Sequence, residues 1–595
     1  MKISRKIRVF TIFCITFLTL VCTGCKSAEK SAVAEELEET EVMREGDYVE
    51  KETLREAPLT DNKALYEEDD ETSVVTMYLT VCAGNEGDNT NHTWTEINSH
   101  SVYDYEEMDI PRYNVDAILQ VGDENGPAEG EFGYGEIVPN AAVQIRGQTS
   151  SRSEQKNYKI RIKDEKGNWR GQRTIALNKH VSDPCRFRNK LAYDLMKEIP
   201  QMMSARTQFV HLYVKDETEG GSGEFEDYGL YTQVEQMNKT YLKNHGLDNK
   251  GQMYKVNFFE WYLYDDVMKL STDSDYNEKT FEKYLEIKGS DDHTKLHELL
   301  REINDYTIPI DEIVEKHFDL DNVFYWMGFQ ILIGNMDVGA RNLYLYSPLN
   351  SEKWYFISWD NDSTFSREYR KIQNYSDGQS WERGISTFLN LVIFNRMLKE
   401  EKYRKGLDDA IQDLRENYVT EEKVRTMVQH YQAVVKPYVY RTPDAEYTRV
   451  DETEYDIITK AMSKELEINY QYYLESLKNP WPFFVGLPEK IGGKFEIVWD
   501  ASYDYNKEDI TYSFILASDY EFKNVIAREE GLRLPRITVD MLPAGQYFIR
   551  VRSTNESGYE QDCFDYYPTN EGKIYGCKSF FVAEDGAITE DVFEE

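Results

Sequence analysis

Asp337 and Asn342 stand with four residues between them in GNMDVGARNLYLY, and Asp360-Asn361-Asp362 follows in WYFISWDNDSTF. Hard oxygen donors of this kind suit Mg²⁺ or Mn²⁺. Mg²⁺ usually takes only one or two carboxylates and completes its shell with phosphates and water. A free Asp beside such a cation can accept a hydroxyl proton or orient the hydroxyl for attack. D-x-x-x-x-N, a hairpin and a second Asp form one of the arrangements that carry out phosphoryl transfer. D-x-x-x-x-N alone is a weak signal, because a turn cap at Asp337 and a tight bend at Asp360 would leave the same letters. Asp360 to Thr364 also opens like a calcium loop. Phe365 and Lys371 stand where that loop needs Gly and Glu, which excludes it.

The chemistry depends on elements that bring these residues together. Asn322 to Ile333 (NVFYWMGFQILI) is apolar on all sides and predicts a buried helix. Leu343 to Tyr346 and Lys353 to Trp359 read as strands joined by SPLNSE, so a hairpin returns Asp360 to Asn342. Upstream, Val74–Val81, Val115–Val121, Ala142–Gly147 and Tyr158–Lys163 read as strands. In the last, Tyr158, Ile160 and Ile162 face one side and Lys159, Arg161 and Lys163 the other. Between two of these strands lie Arg146, Gly147, Thr149 and Ser150, then Lys156. A glycine and several hydroxyls can approach phosphate there. Arg146, Arg152, Lys156, Lys159, Arg161 and Lys163 form a basic cluster in an acidic chain, a local reversal of sign that suits a polyphosphate. The plainer reading is a solvated charged strand face. Ser182-Asp183-Pro184 predicts a helix start, and Phe187, Leu191, Leu195 and Ile199 continue at helical spacing. Strands at Gln208–Val214 and Tyr228–Glu235 follow. Glu235 in LYTQVEQ then falls at a hinge where backbone groups would meet a base. From about 237 to 478 helical patterns dominate.

The chain has 595 residues, with 69 basic against 108 acidic and a formal charge of −39. That excess argues against nucleic acid as a bulk partner, since phosphate backbones need a basic face. The length allows several domains. Lys2, Arg5, Lys6 and Arg8 precede the short apolar run Val9–Val21, which fits a signal peptide better than a membrane span. Cys22-Thr23-Gly24-Cys25 then reads as a lipobox, with Cys25 acylated. The expectation is a signal peptide over 1–25 and a lipoprotein exported to the outer face of a bacterial membrane. An uncleaved N-terminal anchor is the alternative. Residues 26–72 read as a disordered acidic tether, 73–480 as the main domain with its small lobe ending near 235, and 585–595 as an acidic tail. Residues 481–584 alternate short strands and turns, as a β-sandwich does, and LPAGQYFIRV resembles the late strands of a fibronectin type III module. Cys563 and Cys577 could pair there, whereas Cys82 and Cys185 read as buried free thiols. H-E-x-x-H, G-x-S-x-G and the common glycine-rich nucleotide loops are all absent from the sequence, which removes the simplest metalloprotease, hydrolase and nucleotide-loop readings.

The segments IRGQTSSRSEQKNYKIRI, SDPCRFRNKLAYDLMKEI, YGLYTQVEQMNKTYL, GNMDVGARNLYLY and WYFISWDNDSTF, in this order over about 140–400, resemble the CotH family, the spore coat protein H group of atypical secreted kinases. The resemblance implies an α+β, two-lobed kinase-like domain ahead of the all-β module, and transfer of phosphate from ATP to Ser or Thr of a protein acceptor. It implies Asp337 as catalytic base, Asn342 and Asp360 as ligands of Mg²⁺ or Mn²⁺ with Asp362 as a further contact, and Lys156 as the phosphate lysine. Arg146, Gly147, Thr149 and Ser150 would line the phosphates, and Asp194 or Glu198 would be the acidic partner of Lys156. Asn335-Met336 replaces the usual His-Arg and WDND replaces DFG. Two other readings stand beside it. One is a non-catalytic surface lipoprotein that binds polysaccharide or a protein; the other is a phosphotransferase acting on a small molecule.

Overall fold

The computed structural model describes residues 59–67, 69–375, 379–570 and 572–592. Cys25 and the signal segment lie outside them.

The first lobe is built from β1 (Val74–Cys82), β2 (Val115–Asp123), β3 (Gly126–Pro127), β4 (Ala141–Arg146), β5 (Asn157–Ile162), β6 (Thr174–Asn178), β7 (Thr207–Asp216) and β8 (Phe225–Glu235). Their order is β1-β7-β8-β6-β5-β4-β2-β3, and an additional β1–β2 pairing closes the sheet into a barrel. β1 runs parallel to β7, with Val74 opposite Phe209, and antiparallel to β2, with Leu79 opposite Leu119. Inward residues alternate along each strand, and Met77, Leu79, Leu119, Val143, Ile145, Ile160, Ile175 and Leu212 share one core. Two short capped helices, α1 (Trp94–Ser99) and α2 (Val102–Met108), insert between β1 and β2.

α3 (Arg188–Met196) follows β6. It begins later than Ser182-Asp183-Pro184 suggested. Asp183 caps the turn: its carboxylate accepts the backbone N–H of Cys185 at 2.8 Å and of Arg188 at 2.9 Å. Pro184 therefore sits in the turn ahead of the helix.

The second lobe contains α4 (Lys239–Asn244), β9 (Gln252–Val256), α5 (Glu278–Phe281), β10 (Leu285–Ile287), α6 (Thr294–Asn304), α7 (Ile310–His317), α8 (Leu320–Leu332), β11 (Leu343–Ser347) and β12 (Tyr355–Ser358). α9 (Arg367–Ile372), α10 (Val392–Met397), α11 (Glu401–Asp413), α12 (Glu421–Val439) and α13 (Glu452–Ser476) complete it. β10-β9-β11-β12 form a small antiparallel sheet. α8 is buried on nearly every side, as its composition demands, and its N-cap Asp319 accepts the Asn322 N–H at 2.9 Å.

The C-terminal module contains β13 (Glu489–Ile491), β14 (Lys494–Val498), β15 (Ile510–Ala517), β16 (Val525–Leu532), β17 (Arg536–Asp540), β18 (Gly545–Asn555), β19 (Glu560–Asp562), β20 (Tyr566–Thr569), β21 (Gly572–Tyr575), β22 (Lys578–Val582) and β23 (Ile588–Glu590). Sheet β13-β14-β17 faces sheet β16-β15-β18-β22-β23. Phe495, Ile497 and Val539 of one meet Phe514, Leu516, Ile549, Val551 and Phe580 of the other. Tyr547 Oη donates to the Pro543 carbonyl at 2.9 Å and fixes the corner into β18. Cys563 and Cys577 are buried free thiols, as is Cys185, while Cys82 is only partly buried.

The acidic tether expected up to residue 72 ends earlier. Leu59 packs on the large core, and Asp61 is buried. Asp61 accepts from His245 at 2.6 Å and from the Tyr66 hydroxyl at 2.8 Å. Counting charges hid this, because one carboxylate with a buried partner is worth more than its neighbours in water. Among the described residues no helix is long and apolar enough to cross a membrane.

Candidate active site

Asp337 is held by a ladder of amides that begins on α8. Gln330 Nε2 donates to Ser358 Oγ at 2.7 Å, Asn335 Nδ2 to Gln330 Oε1 at 2.8 Å, and the Asp337 N–H to Asn335 Oδ1 at 3.0 Å. The Asn–Met pair before Asp337 thus supplies an amide that orients the loop. Asn342 Nδ2 donates to the Asp337 carbonyl at 2.7 Å and to its Oδ2 at 2.8 Å. The Arg341 guanidinium pairs with Oδ1. Burial raises the Asp337 carboxyl above its ordinary pKa, against the pull of Arg341 and Asn342.

The hairpin then does what its spacing predicts. Leu343 pairs with Ser358, and the Trp359 N–H donates to the Asn342 carbonyl at 3.1 Å. Asn342 at φ 61° and Asp360 at φ 55° both adopt the left-handed conformation. Asn and Asp tolerate that region better than other side chains, and such conformations gather at functional sites.

Asp360 has no ion-pair partner within 4.0 Å among the described residues. Burial, the nearby Asp362 carboxylate and Asp337 raise its carboxyl well above the usual range, against His180 and Arg146. Burial also pushes Asp362 up. The hydrogen bond and charge of His180, with Ser182 and Arg188, outweigh it and hold Asp362 low. His180 Nδ1 lies 3.7 Å from Asp362 Oδ2 and Ser182 Oγ donates to it at 3.3 Å.

A divalent cation fits this donor set. Asp360 is a carboxylate whose charge nothing offsets at ion-pair distance, and Asn342, with its amide nitrogen on Asp337, has its oxygen to offer. Among the described residues no three His, Cys, Asp or Glu side chains gather into a closed metal cage. Such a sparse set suits Mg²⁺, which brings phosphate oxygens and water with it.

The barrel supplies the opposite wall. The Arg146 guanidinium donates to Asn178 Oδ1, and Asp360 is the first charged group it feels. Lys159, opposite Gln144 on the same face of the sheet, is surrounded by Lys288, Arg112, Arg146 and Arg161. Burial and these like charges lower its pKa, and among the described residues it forms no ion pair. Lys255 of β9, opposite Tyr344, adds another cation between Glu286, Arg146 and Asp360. A wall of crowded cations is a demand for an anion.

Several expected residues lie elsewhere. Lys156 Nζ donates to the Ser151 carbonyl at 2.7 Å, and its charged neighbour is Asp104. It precedes the first residue of β5 and so escapes the alternation that aims Lys159. Asp194 pairs with Lys190 at 2.8 Å and Lys197 at 2.6 Å, and Glu198 with Lys423 at 2.6 Å, so neither serves Lys156. Glu235 ends β8 as expected. Its carboxylate, however, pairs with Arg206 at 2.6 Å and its N–H donates to the Arg206 carbonyl at 2.9 Å, so that N–H is not open to a base. Arg152 stacks on Tyr103 at 3.9 Å and Lys163 pairs with Asp116 at 3.0 Å. Gly147, at φ +88°, turns the chain over Ser150, where an added Cβ would lie 2.2 Å from the hydroxyl oxygen. Ser150 Oγ accepts from Asn157 at 2.9 Å. Thr149 stays exposed.

Residues 143–473 match the family model described as "CotH kinase protein". The chain belongs to the CotH kinase family. Inner spore coat protein H of Bacillus subtilis (strain 168) is 23% identical over 346 residues, 56% of this chain and 86% of that protein. Two solved structures are similar at 11% identity. The Helicobacter pylori proinflammatory kinase CtkA aligns over 54% of this chain and 94% of its own with a TM-score of 0.26. The twitchin kinase region from C. elegans aligns over 68% and 71% with a TM-score of 0.16. Scores this low carry no argument. In this CotH chain the sequence reading missed His180, beside Asp362, and Lys255, which lies near Arg146 and Asp360. Neither sits in a spacing pattern, since each reaches its place through tertiary folding.

Proposed function

We propose that the chain is a protein kinase that transfers the γ-phosphate of ATP to Ser or Thr of a protein acceptor, with Mg²⁺ or Mn²⁺. Asp337 takes the hydroxyl proton as the acceptor oxygen bonds to phosphorus and the bond to the β-phosphate oxygen breaks, releasing ADP. A cation held by Asn342, Asp360 and Asp362 would neutralise charge on the phosphates. Arg146, Lys159 and Lys255 bind the phosphates from the opposite wall, and Asn342 and Arg341 orient the base. Catalysis is then mostly positioning and charge neutralisation. One observation carries this reading above the others: Asn342 donates to Asp337 Oδ2 at 2.8 Å while its own carbonyl accepts the Trp359 N–H at 3.1 Å, so the hairpin sets Asp360 beside Asp337. Family membership gives it a kinase context. The proposal extends to an exported lipoprotein acylated at Cys25, with a fibronectin type III-like module at 481–584 whose sheet order and Tyr547 corner support the likeness.

The test is labelled phosphate transfer to casein-like acceptors by wild type, Asp337→Asn and Asp360→Asn. Transfer by wild type alone, with all three folded, is expected. Equal labelling by wild type and Asp337→Asn would remove the assigned base.

A further inference from the structure

A buried carboxylate from the helical lobe packs against the barrel behind the loop that follows Arg146. α12 ends at Val439, and the chain turns at Asp444 before α13. Asp444 is 4% exposed. Its Oδ1 pairs with Lys179 Nζ at 2.6 Å and accepts from Gln155 Nε2 at 2.9 Å, while Oδ2 accepts the Leu230 N–H at 2.8 Å. Gly229, at φ +72°, permits this approach, since a Cβ there would lie 2.2 Å from Oδ2.

Each contact continues toward the cleft. Gln155 belongs to the loop between β4 and β5, and its Oε1 accepts from Arg186 at 3.1 Å. The Lys179 N–H donates to Asn157 Oδ1 at 2.7 Å, and Asn157 in turn holds Ser150 at 2.9 Å. Lys179 is also flanked by Asn178, which holds Arg146, and by His180, which faces Asp362. The arrangement therefore fixes the rear of the loop 147–156 and the strand end that carries cleft residues.

We infer that Asp444 is a positioning residue for nucleotide binding, acting through Gln155 on the loop 147–156. The inference rests on the kinase reading above for its nucleotide, but its geometry does not. Gln155→Ala leaves Asp444 paired with Lys179 and Leu230, so the fold survives while the loop loses its tie. In the full chain, Gln155→Ala should raise KM for Mg-ATP about tenfold, the size expected when a hydrogen bond to a charged group no longer orders the loop. kcat and Tm should change little. Asp444→Ala, which removes the acceptor, should raise KM similarly and also lower Tm. The double variant should show no further rise in KM, because both changes break one contact. A purely structural role would lower Tm without separating KM from kcat.

An unchanged KM in Gln155→Ala, or additive effects in the double variant, would overturn the inference. If wild type neither binds ATP nor transfers phosphate, the kinase reading fails by itself. Hydrogen exchange of 147–156 without nucleotide then decides the positioning role. Faster exchange in Gln155→Ala than in wild type supports it, and equal exchange ends it.

Discussion

Asp337 and Asp360 are chemically identical side chains to which the proposed kinase reading gives different work, and their surroundings make the difference. Asp337 is held on both oxygens by Asn342 and Arg341, which aims it. Asp360 lacks an ion-pair partner among the described residues, which makes it a receiver of charge. Truncating a positioned base typically costs about 10²–10⁴ in rate, so Asp337→Asn should fall in that range with Tm nearly unchanged. The two lysines separate just as clearly. Lys159→Ala should weaken ATP binding at least about tenfold, whereas Lys156→Ala should shift it less than about threefold, both measured by titration calorimetry. That scale follows from losing a charge-assisted contact to phosphate at Lys159, worth about 1.5–3 kcal/mol, against a single backbone contact at Lys156. Much of this site was legible in the sequence. Period-two alternation put Lys159 on the face of Arg146, opposite the core residues Tyr158, Ile160 and Ile162, and the hairpin length returned Asp360 to Asn342. Lys156 precedes β5, so alternation gives it no face to read, and its Nζ lies on the Ser151 carbonyl. The partner of Glu198 was illegible, since Lys423 comes from a helix more than two hundred residues away, whereas Lys190 and Lys197 stand at helical spacing from Asp194.

At the scale of elements, the segment 59–67 is welded to the end of β8. His245 has both ring nitrogens on carboxylates, Asp61 at 2.6 Å and Glu235 at 3.0 Å, so both must donate and the ring is a cation. Burial lowers the His245 pKa, but these hydrogen bonds outweigh it and leave it raised. Burial raises Glu235, yet the bonds from His245 and Arg206 hold it down at about 2, and Asp61 is likewise lowered. The raised histidine stabilises fully below its unfolded pKa near ~6.5 and loses that contribution as pH rises through its folded value. The lowered carboxylates stabilise above ~4 and lose their contribution as pH falls toward ~2. The stability difference between wild type and His245→Gln should therefore be largest between about pH 5 and 6.5 and shrink on both sides, in urea titrations across pH. Asp61→Ala should cost about 3–5 kcal/mol, because it strands a buried charge. This element was invisible in composition, which averages over a segment. The parallel β1–β7 ladder was equally invisible, because it joins strands more than a hundred residues apart.

For the whole molecule, the question is whether the sandwich is a passenger. Trp481 and Tyr505 belong to the same hydrophobic core as α11 and α13. Arg404 of α11 lies over Tyr505 at 4.9 Å, and Lys399 over Trp481 at 5.4 Å. Asn555 Nδ2 donates to the Lys478 carbonyl at 3.0 Å, and Trp381 meets Phe564 and Tyr575 edge-on. Burying one such aromatic contributes about 2–3 kcal/mol, and several act here together, which is enough to couple the unfolding of the two bodies. The full chain should melt in one calorimetric transition with matching calorimetric and van't Hoff enthalpies. A chain ending at residue 480 should melt several degrees lower and bind an apolar dye through the uncovered Trp381 and α11 surfaces. Its affinity for Mg-ATP should stay within about twofold of the full chain, since among the described residues no sandwich side chain bonds Asp337, Asn342, Asp360 or Arg146, and distant sites act independently. Two separate transitions, with the first unmoved by truncation, would mean that the aromatic contacts hold the module in place without stabilising the lobe beneath it.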